Sequence, residues 1–164
     1  MSSKRRSYEA GHKPKYLVVI DDSPECDRAV YWASRRAART EAGVIMLHVI
    51  EPHDRNQQWL GVADIMRAEA HEAANTMLTR FAGRVNGIAG ITPDRAIREG
   101  DKVKEILALI EEDRDIAILV LAAGTGKEGP GPIVSSLAKI IGNFPVPVAI
   151  VPGGLTDEEL DSLA

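Results

Sequence analysis

Residues 118–136 read ILVLAAGTGKEGPGPIVSS and join an apolar run to a glycine- and proline-rich loop, which leads into a helical pattern. The apolar run lacks polar alternation and predicts a strand that is covered on both faces, as in a parallel sheet. The loop then leaves the carboxyl end of that strand, where open α/β sheets bind their ligands. Its glycines allow close approach of a ligand, and the following helix start offers N–H groups to an anion such as phosphate. The alternative is a mobile connection without a ligand.

The composition of the chain excludes several classes of protein. Of its 164 residues, 45% are hydrophobic and 27% are charged, which is typical of one globular domain. Aromatic residues make up only 4%, so we expect no stacking platform for single-stranded nucleic acid. A net charge of −4 gives no general attraction to DNA or a membrane, and one cysteine excludes an internal disulfide framework. With no secretory signal pattern and no transmembrane run, we expect a cytoplasmic protein.

Strand and helix patterns alternate along the chain. Near-continuous apolar runs predict strands at 16–21, 43–50 and 115–121, and proline-containing runs at 91–99 and 145–152 predict edge strands. Apolar residues at helical spacing fill the intervals, and the first such stripe consists of Cys26, Ala29, Val30, Ala33 and Ala37. The order βαβαβαβαβ predicts a single α/β domain, a doubly wound five-stranded parallel sheet with helices on both faces.

Two end segments lie outside this alternation. Residues 1–14 are rich in Lys and Arg, so we expect a disordered basic tail that contributes nothing to folding. Residues 15–152 make up the predicted domain. Residues 153–164 are acidic and contain a capping box from Thr156 to Glu159, which predicts an acidic tail or a short helix.

Polar residues at the strand ends are candidates for a ligand site. Asp21 and Asp22 end the first strand, where a carboxylate can accept a hydrogen bond from a ribose hydroxyl or an adenine amino group. Two neighbouring acids can also hold Mg²⁺ together with phosphate oxygens. The alternative is turn chemistry, with Ser23 and Pro24 opening the next helix. His48 stands alone in an apolar strand, which favours a structural residue over a metal ligand.

Four stretches are typical of one known family: VIDDS (19–23), LHV (47–49), REGD (98–101) and FPVPVAIV (144–151). Together they make residues 15–152 resemble the universal stress protein family. The resemblance implies a sheet of order 3-2-1-4-5, in the adenine nucleotide α-hydrolase-like fold. It also implies a homodimer, because members often pair their final strands antiparallel, which here involves Val148, Ala149 and Ile150.

Nucleotide-binding members of that family carry G-x-x-G, nine residues, and then G-[S/T]. Transferred position by position, the three glycines fall on Ala123, Gly126 and Ser135, so two of them are replaced. The gap between the two halves of the motif is eight residues in this chain. With Asp21 on the adenosine side and Val49 beside the adenine, the resemblance implies a nucleotide-binding set of Asp21, Val49, Ala123, Gly124, Gly126, Ser135, Ser136 and Leu137.

The resemblance implies a homodimer that binds ATP or another adenine nucleotide, with Mg²⁺, and acts in stress response or regulation. The replaced glycines have a physical cost, because a Cβ clashes where the backbone must meet a phosphate. Losing one or two hydrogen bonds to a charged group weakens binding by roughly ten- to a thousand-fold. The alternative is therefore a stress-response protein that binds partner proteins and no nucleotide. No residue pattern supplies a clear catalytic base, so we expect weak ATP hydrolysis at most.

Overall fold

The computed structural model describes residues 4–52 and 60–164 of the chain. Residues 51–60, whose composition predicts a polar loop, lie mostly outside this described part. A short 3₁₀ turn spans Ile141–Asn143. The strands and helices are, in chain order, β1 (Lys15–Val19), α1 (Cys26–Thr40), β2 (Gly43–Ile50), α2 (Leu60–Ala89), β3 (Asp94–Glu99), α3 (Lys102–Glu112), β4 (Ile116–Ala123), α4 (Pro132–Ala138), β5 (Val148–Pro152) and α5 (Asp157–Leu163).

The five strands form one parallel sheet in the order β3-β2-β1-β4-β5. This confirms the predicted fold class and strand order, with β3 and β5 at the two edges. Central strand β1 pairs on both sides, and Leu17 lies opposite Ile45 of β2 and Leu119 of β4. The chain leaves β1 in one direction to build β2 and β3 and returns to its other side to build β4 and β5. The switch in direction therefore falls between β1 and β4.

Helices cover both faces of the sheet, which explains why the central strands lack polar alternation. On one face, Tyr16 and Val18 of β1 pack with buried residues of α1 and α2 and with Leu160 of α5. On the other face, Leu17 and Val19 pack with buried residues of α3 and α4. The predicted stripe of α1 is buried along its whole length. Successive side chains of a strand point to opposite faces of the sheet and therefore pack in two separate hydrophobic cores.

Two helices begin at different residues from those predicted. We expected Ser23 to cap the first helix, but α1 begins at Cys26 with Glu25 at the cap position. The reason is that the backbone N–H and the hydroxyl of Ser23 both donate to Oδ1 of Asp21, at 3.0 and 2.5 Å. The sequence predicts a fourth helix over 135–141, whereas α4 begins at Pro132. Proline at a first helical position has the backbone angle that the helix needs.

The basic amino-terminal segment differs from the expected disordered tail, because residues 4–14 lie against the domain. Nη1 of Arg5 donates to the carbonyl of Ile110 at 2.7 Å, in the last turn of α3. The hydroxyl of Ser7 is buried and donates to the carbonyl of Asp115 at 2.9 Å. The last carbonyls of a helix lack intrahelical partners and carry partial negative charge, so they attract a guanidinium group. Charge composition alone does not reveal this contact.

Candidate functional site

The candidate site lies at the carboxyl edge of the sheet, between β1 and β4. In an open α/β sheet this switch point leaves a crevice, because the connections from the two strands diverge to opposite sides. A cavity of about 80 Å³ lies in this crevice. Its lining comes from the end of β1, the start of α1, the end of β4, the loop before α4, the first turn of α4 and the first residue of α3. The lining residues are Val19, Asp21, Ser23, Glu25, Cys26, Lys102, Leu121, Ala122, Pro130, Gly131, Pro132, Ile133 and Val134.

Asp21 is half-buried and aims into this cavity from the loop after β1. Its Oδ1 already accepts two hydrogen bonds from Ser23, which hold the carboxylate in one orientation. A carboxylate has two oxygens with several lone pairs, so Asp21 keeps the capacity to accept from a ligand. The turn contact of Asp21 is present, and the contact of Asp21 with a ligand stays a prediction.

Glu25 is a second carboxylate of the cavity, and the sequence did not single it out. Its side chain reaches across the crevice to the loop after β4, where a Cβ built on Gly124 would lie 2.8 Å from Oε1 of Glu25. On the β5 side, a Cβ built on Gly153 would lie 3.0 Å from Cβ of Glu25 and would also clash with the carbonyl O of Ala123. Glycine is required at Gly153, where a Cβ would meet the β4 backbone, whereas a side chain at Gly124 would only require the Glu25 carboxylate to move.

The loop from Gly124 to Gly131 folds back on itself. The N–H of Gly124 donates to the carbonyl of Pro130 at 3.0 Å, and the N–H of Gly129 donates to the carbonyl of Gly126 at 3.2 Å. Gly129 and Gly131 have φ values of 95° and 113°, which side chains rarely adopt. Gly129 and Gly131 therefore allow the loop to turn. The N–H of Gly124 is already bonded within the loop and cannot donate to a ligand.

The loop also carries its own carboxylate. A Cβ on Gly126 would lie 2.5 Å from Oε1 and 2.8 Å from Oε2 of Glu128, so the Glu128 side chain folds over Gly126. Glu128 is exposed and can rotate away, whereas Glu25 is half-buried at the start of α1. The Glu25 carboxylate therefore lies beside the backbone of Gly124, and the Glu128 carboxylate lies beside the backbone of Gly126.

The residues predicted on α4 lie away from the cavity. Because α4 begins at Pro132, Ser135 and Ser136 fall in its second turn rather than at its start, and both are exposed. The N–H of Ser135 donates to the carbonyl of Gly131 at 3.0 Å, as an ordinary helical bond. Leu137 is buried in the core beneath α3 and α4. Pro132, Ile133 and Val134 occupy the place at the crevice that we expected for the serines.

Val49 and Ala123 lie near the crevice without lining its cavity. Val49 is 4% exposed and packs in the core with Val19 and Leu121, so it has no free surface for an adenine ring. Ala123 ends β4, and its carbonyl accepts from the N–H of Gly153 at 2.8 Å. Of the eight predicted residues, Asp21 alone is among those that line the cavity.

Lys102 is the second lining residue that sequence reasoning missed. Its Nζ lies 3.4 Å from Oε1 of Glu51, so the lysine bridges the start of α3 and the end of β2. A signal for both Lys102 and Glu25 was present in the sequence. Every helix that follows a strand of a parallel sheet begins at the carboxyl edge, so its first residues belong in the search for site residues. Lys102 begins α3, and Glu25 immediately precedes α1.

Cys26 and His48 have structural roles. Burial raises the pKa of the Cys26 thiol to about 12, and its Sγ lies 3.8 Å from the carbonyl O of Val19. The thiol is therefore protonated at neutral pH and unreactive. Nδ1 of His48 bonds to the carbonyl of Ile20 at 2.7 Å, which extends the pairing of β1 and β2. In the described residues, no group of three or more His, Cys, Asp or Glu side chains could hold a metal ion.

The residues of the cavity fit an adenine nucleotide only in part. Asp21 offers an oriented acceptor for a hydroxyl or amino group. A volume of about 80 Å³ is smaller than the roughly 300–1,000 Å³ of sites for small molecules, so an adenosine group needs outward movement of the loop before α4. The backbones of Gly124 and Gly126, which a triphosphate would approach, have the carboxylates of Glu25 and Glu128 beside them, so this arrangement of the loop disfavours a phosphate chain.

Comparisons with known proteins agree with the fold. These observations define a doubly wound α/β domain with a crevice at its switch point. The sequence profile of the universal stress protein family matches residues 14–152. The chain belongs to the universal stress protein family. A comparison with curated proteins found no match.

Three solved structures illustrate the similarity. Universal stress protein UspA from Lactobacillus plantarum is 22% identical, with a TM-score of 0.69 over 84% of this chain and 97% of that chain. A universal stress protein described as a complex with cAMP is 18% identical, with a TM-score of 0.61 over 86% and 98% of the two chains. The Archaeoglobus fulgidus protein described as a complex with dAMP is 17% identical, with a TM-score of 0.55 over 84% and 96%. At these identities the likeness establishes the fold.

Proposed function

We propose that this protein is a cytoplasmic homodimer that binds an adenine nucleotide in the β1–β4 crevice and acts in stress response or regulation. The observation that carries the proposal is the cavity at the switch point of the sheet, with the oriented carboxylate of Asp21 on its wall. In this proposal Asp21 accepts a hydrogen bond from a ribose hydroxyl or the adenine amino group. The loop from Gly124 to Gly131 moves outward to admit the ligand.

Family membership supports the choice of an adenine ligand. Two similar structures are described as complexes with cAMP and dAMP, and each of these ligands is an adenine nucleotide with one phosphate. ATP with Mg²⁺ has less support in this chain, because the site offers a phosphate chain few donors. Residues Ala123, Gly126, Ser135 and Ser136 are therefore weaker candidates for phosphate contacts than the sequence suggested.

The proposed dimer pairs the β5 edges of two copies. The two edges of the sheet differ in composition: β3 reads DRAIRE, whereas β5 reads VAIVP. Charged side chains on an edge strand discourage pairing with another chain, and an apolar edge favours it. Ile150 is 47% exposed on β5, so pairing there would cover an apolar side chain. No helix in the described residues is both long enough and apolar enough to cross a membrane.

A second candidate function is a stress-response protein that binds partner proteins without a nucleotide. The small cavity and the self-bonded loop favour this reading. Mass spectrometry of ligand that co-purifies with the protein, followed by calorimetry with adenosine, AMP and ATP, separates the two functions. Under the nucleotide proposal, Asp21→Ala weakens AMP binding at least about ten-fold, equivalent to one hydrogen bond to a charged group. Asp22→Ala changes a neighbouring exposed carboxylate and serves as the control.

A protein that binds none of the three ligands at millimolar concentration would contradict the nucleotide proposal and favour the second candidate. Equal effects of Asp21→Ala and Asp22→Ala would contradict the assigned role of Asp21.

A further inference from the structure

Two carboxylates lie at the loop between β4 and α4, where a phosphate chain would need donors: Glu128 belongs to the loop and Glu25 reaches it from the start of α1. The Glu25 carboxylate lies over Gly124, and the Glu128 carboxylate lies over Gly126. The N–H of Gly124 is already bonded to the carbonyl of Pro130. A phosphate at this loop would therefore meet two like charges against one exposed cation of the loop, Lys127, and would lack one of its backbone donors.

The charged residues that line the cavity also disfavour the binding of a phosphate chain. Among the described residues that line the cavity, Asp21 and Glu25 are negative and Lys102 is positive. Nζ of Lys102 already lies 3.4 Å from a carboxylate oxygen of Glu51, which compensates part of its charge. The wall thus carries excess negative charge where it faces a ligand.

Glu25 differs from an ordinary surface glutamate because its position is set by packing. It precedes α1, its backbone carbonyl accepts from the N–H of Arg28 at 2.9 Å, and its side chain sits between Gly124 and Gly153. Within the described part of the chain, its carboxylate has no hydrogen-bond or ion-pair partner. A half-buried carboxylate without a partner favours a ligand that donates, such as a hydroxyl group, and disfavours an anion.

We propose that Glu25 is a specificity-determining residue that selects adenine ligands with at most one phosphate, an adenosine or its monophosphate, against the triphosphate. The Glu25 carboxylate accepts from the ribose side of the ligand and repels a phosphate chain from the Gly124 backbone. Glu128 adds to the repulsion from the rim and contributes less, because its exposed side chain can rotate away. This inference rests on the proposed adenine site and adds the class of ligand that the site accepts.

The test is calorimetry of adenosine, AMP and ATP with the wild-type protein and with Glu25→Gln. The substitution removes the charge and keeps the size of the side chain. In the wild type we expect ATP to bind at least about ten-fold more weakly than adenosine, and Glu25→Gln to narrow that ratio by about ten-fold. We expect Glu128→Gln to narrow it less. High ionic strength should shrink the wild-type ratio, because salt screens the repulsion.

The matched control is Glu41→Gln, which removes one negative charge at the opposite end of α1, where Glu41 is exposed. This control should leave the ratio of ATP to adenosine affinity unchanged, and equal melting temperatures show that the variants are folded. ATP binding as tightly as adenosine in the wild type would overturn the inference and leave the proposed function standing, as would an unchanged ratio in Glu25→Gln. If none of the three ligands binds to the wild type or to any variant, both the proposed function and this inference are overturned.

Discussion

Asp27 illustrates how single residues of this chain are held by opposite charges. Its carboxylate accepts from Nε of Arg84 at 2.9 Å and from Nη2 of Arg28 at 2.6 Å. Burial alone would raise the pKa of Asp27, but the hydrogen bonds and charges of Arg84 and Arg28 outweigh burial and hold the pKa below its usual 3.8. Arg28 also donates to Asp157, so Asp27 belongs to a network that joins α1, α2 and α5.

The pH dependence of stability tests this network. Because the folded-state pKa of Asp27 is lowered, its contribution is fully present above about pH 5 and is lost as the pH falls through that pKa. We expect Asp27→Asn to lower the free energy of unfolding by about 1 kcal/mol at neutral pH, a value that allows for partial exposure. The difference from wild type should shrink below about pH 4. Urea denaturation across this pH range is the measurement, with Asp22→Asn as the control. A pH-independent difference would contradict the assignment.

Predictions about single residues were correct where one type of interaction determines the position of the side chain. The buried stripe of α1 follows from apolar periodicity alone, and His48 bonds to a backbone carbonyl as a lone histidine in a strand should. The expected cap at Ser23 was wrong. A capping hydroxyl accepts from a backbone N–H of the helix, whereas the Ser23 hydroxyl donates to the carboxylate of Asp21, two residues away. A propensity for capping does not show whether a local turn holds the residue outside the helix.

At the scale of elements, the amino-terminal segment is the main departure from expectation. Its backbone pairs with the turn before β4, since the N–H of Arg6 donates to the carbonyl of Arg114 at 3.0 Å. His12 lies 2.9 Å from a carboxylate oxygen of Asp115, and Pro14 is buried. The segment therefore packs at the end of the sheet where β4 begins, which is opposite the end that holds the candidate site.

Deletion of residues 1–13 should lower the stability of the domain. Hydrogen bonds to a charged group contribute about 1.5–3 kcal/mol, so we expect a loss of roughly 2 kcal/mol and a fall in melting temperature of about 5 °C. The single change Arg5→Ala should account for much of this loss, because Arg5 caps the end of α3. Lys4→Ala alters an adjacent exposed residue and is the control. An unchanged melting temperature after the deletion would agree with a disordered tail and contradict the observed packing.

Helix α5 is the second element outside the alternating pattern, and it packs as a part of the fold. The predicted capping box is present, since Thr156 accepts from the N–H of Glu159 and the Glu159 carboxylate accepts from the N–H of Thr156. Leu160 is fully buried against the sheet face that carries α1. The hydroxyl of Tyr31 and Nε of Arg35 both donate to Asp161, which fastens α5 to α1.

Two leucines of α5 provide a matched test of this packing. Leu160→Ala should lower the free energy of unfolding by about 3 kcal/mol, because it removes a fully buried side chain and leaves a cavity. Leu163→Ala in the same helix should change it by less than about 0.5 kcal/mol, because Leu163 is 60% exposed. Chemical denaturation of both variants measures the difference. Equal effects would contradict the docking of α5.

At the scale of the whole molecule, the proposed dimer depends on the unpaired edge of β5. We expect Ile150→Lys to convert the dimer to a monomer in light scattering without a large change in melting temperature, because Ile150 is half-exposed in the isolated chain. Ile65→Lys is the same substitution at a 61% exposed position on α2 and should leave the dimer intact. A wild-type monomer at micromolar concentration would contradict the proposal, as would a dimer in both variants.

The fold was predictable from the sequence because its determinants are repetitive. Five apolar runs separated by helical patterns leave few arrangements besides a doubly wound sheet. The site was less predictable, because its shape depends on the path of one loop. The loop before α4 bonds to itself through Gly124 and Pro130, and α4 starts three residues early at Pro132. Of the predicted site residues, only Asp21, which follows the end of β1, lines the cavity.

Binding of an adenine nucleotide in the crevice between β1 and β4 can be measured by backbone amide chemical shifts of isotope-labelled protein during titration with AMP. The proposed binding predicts saturable shifts concentrated at residues 21–26 and 121–134, with the largest near Asp21 and the loop before α4. It would be contradicted by a titration to millimolar AMP that moves no amide, or by shifts centred on the outer face of α2.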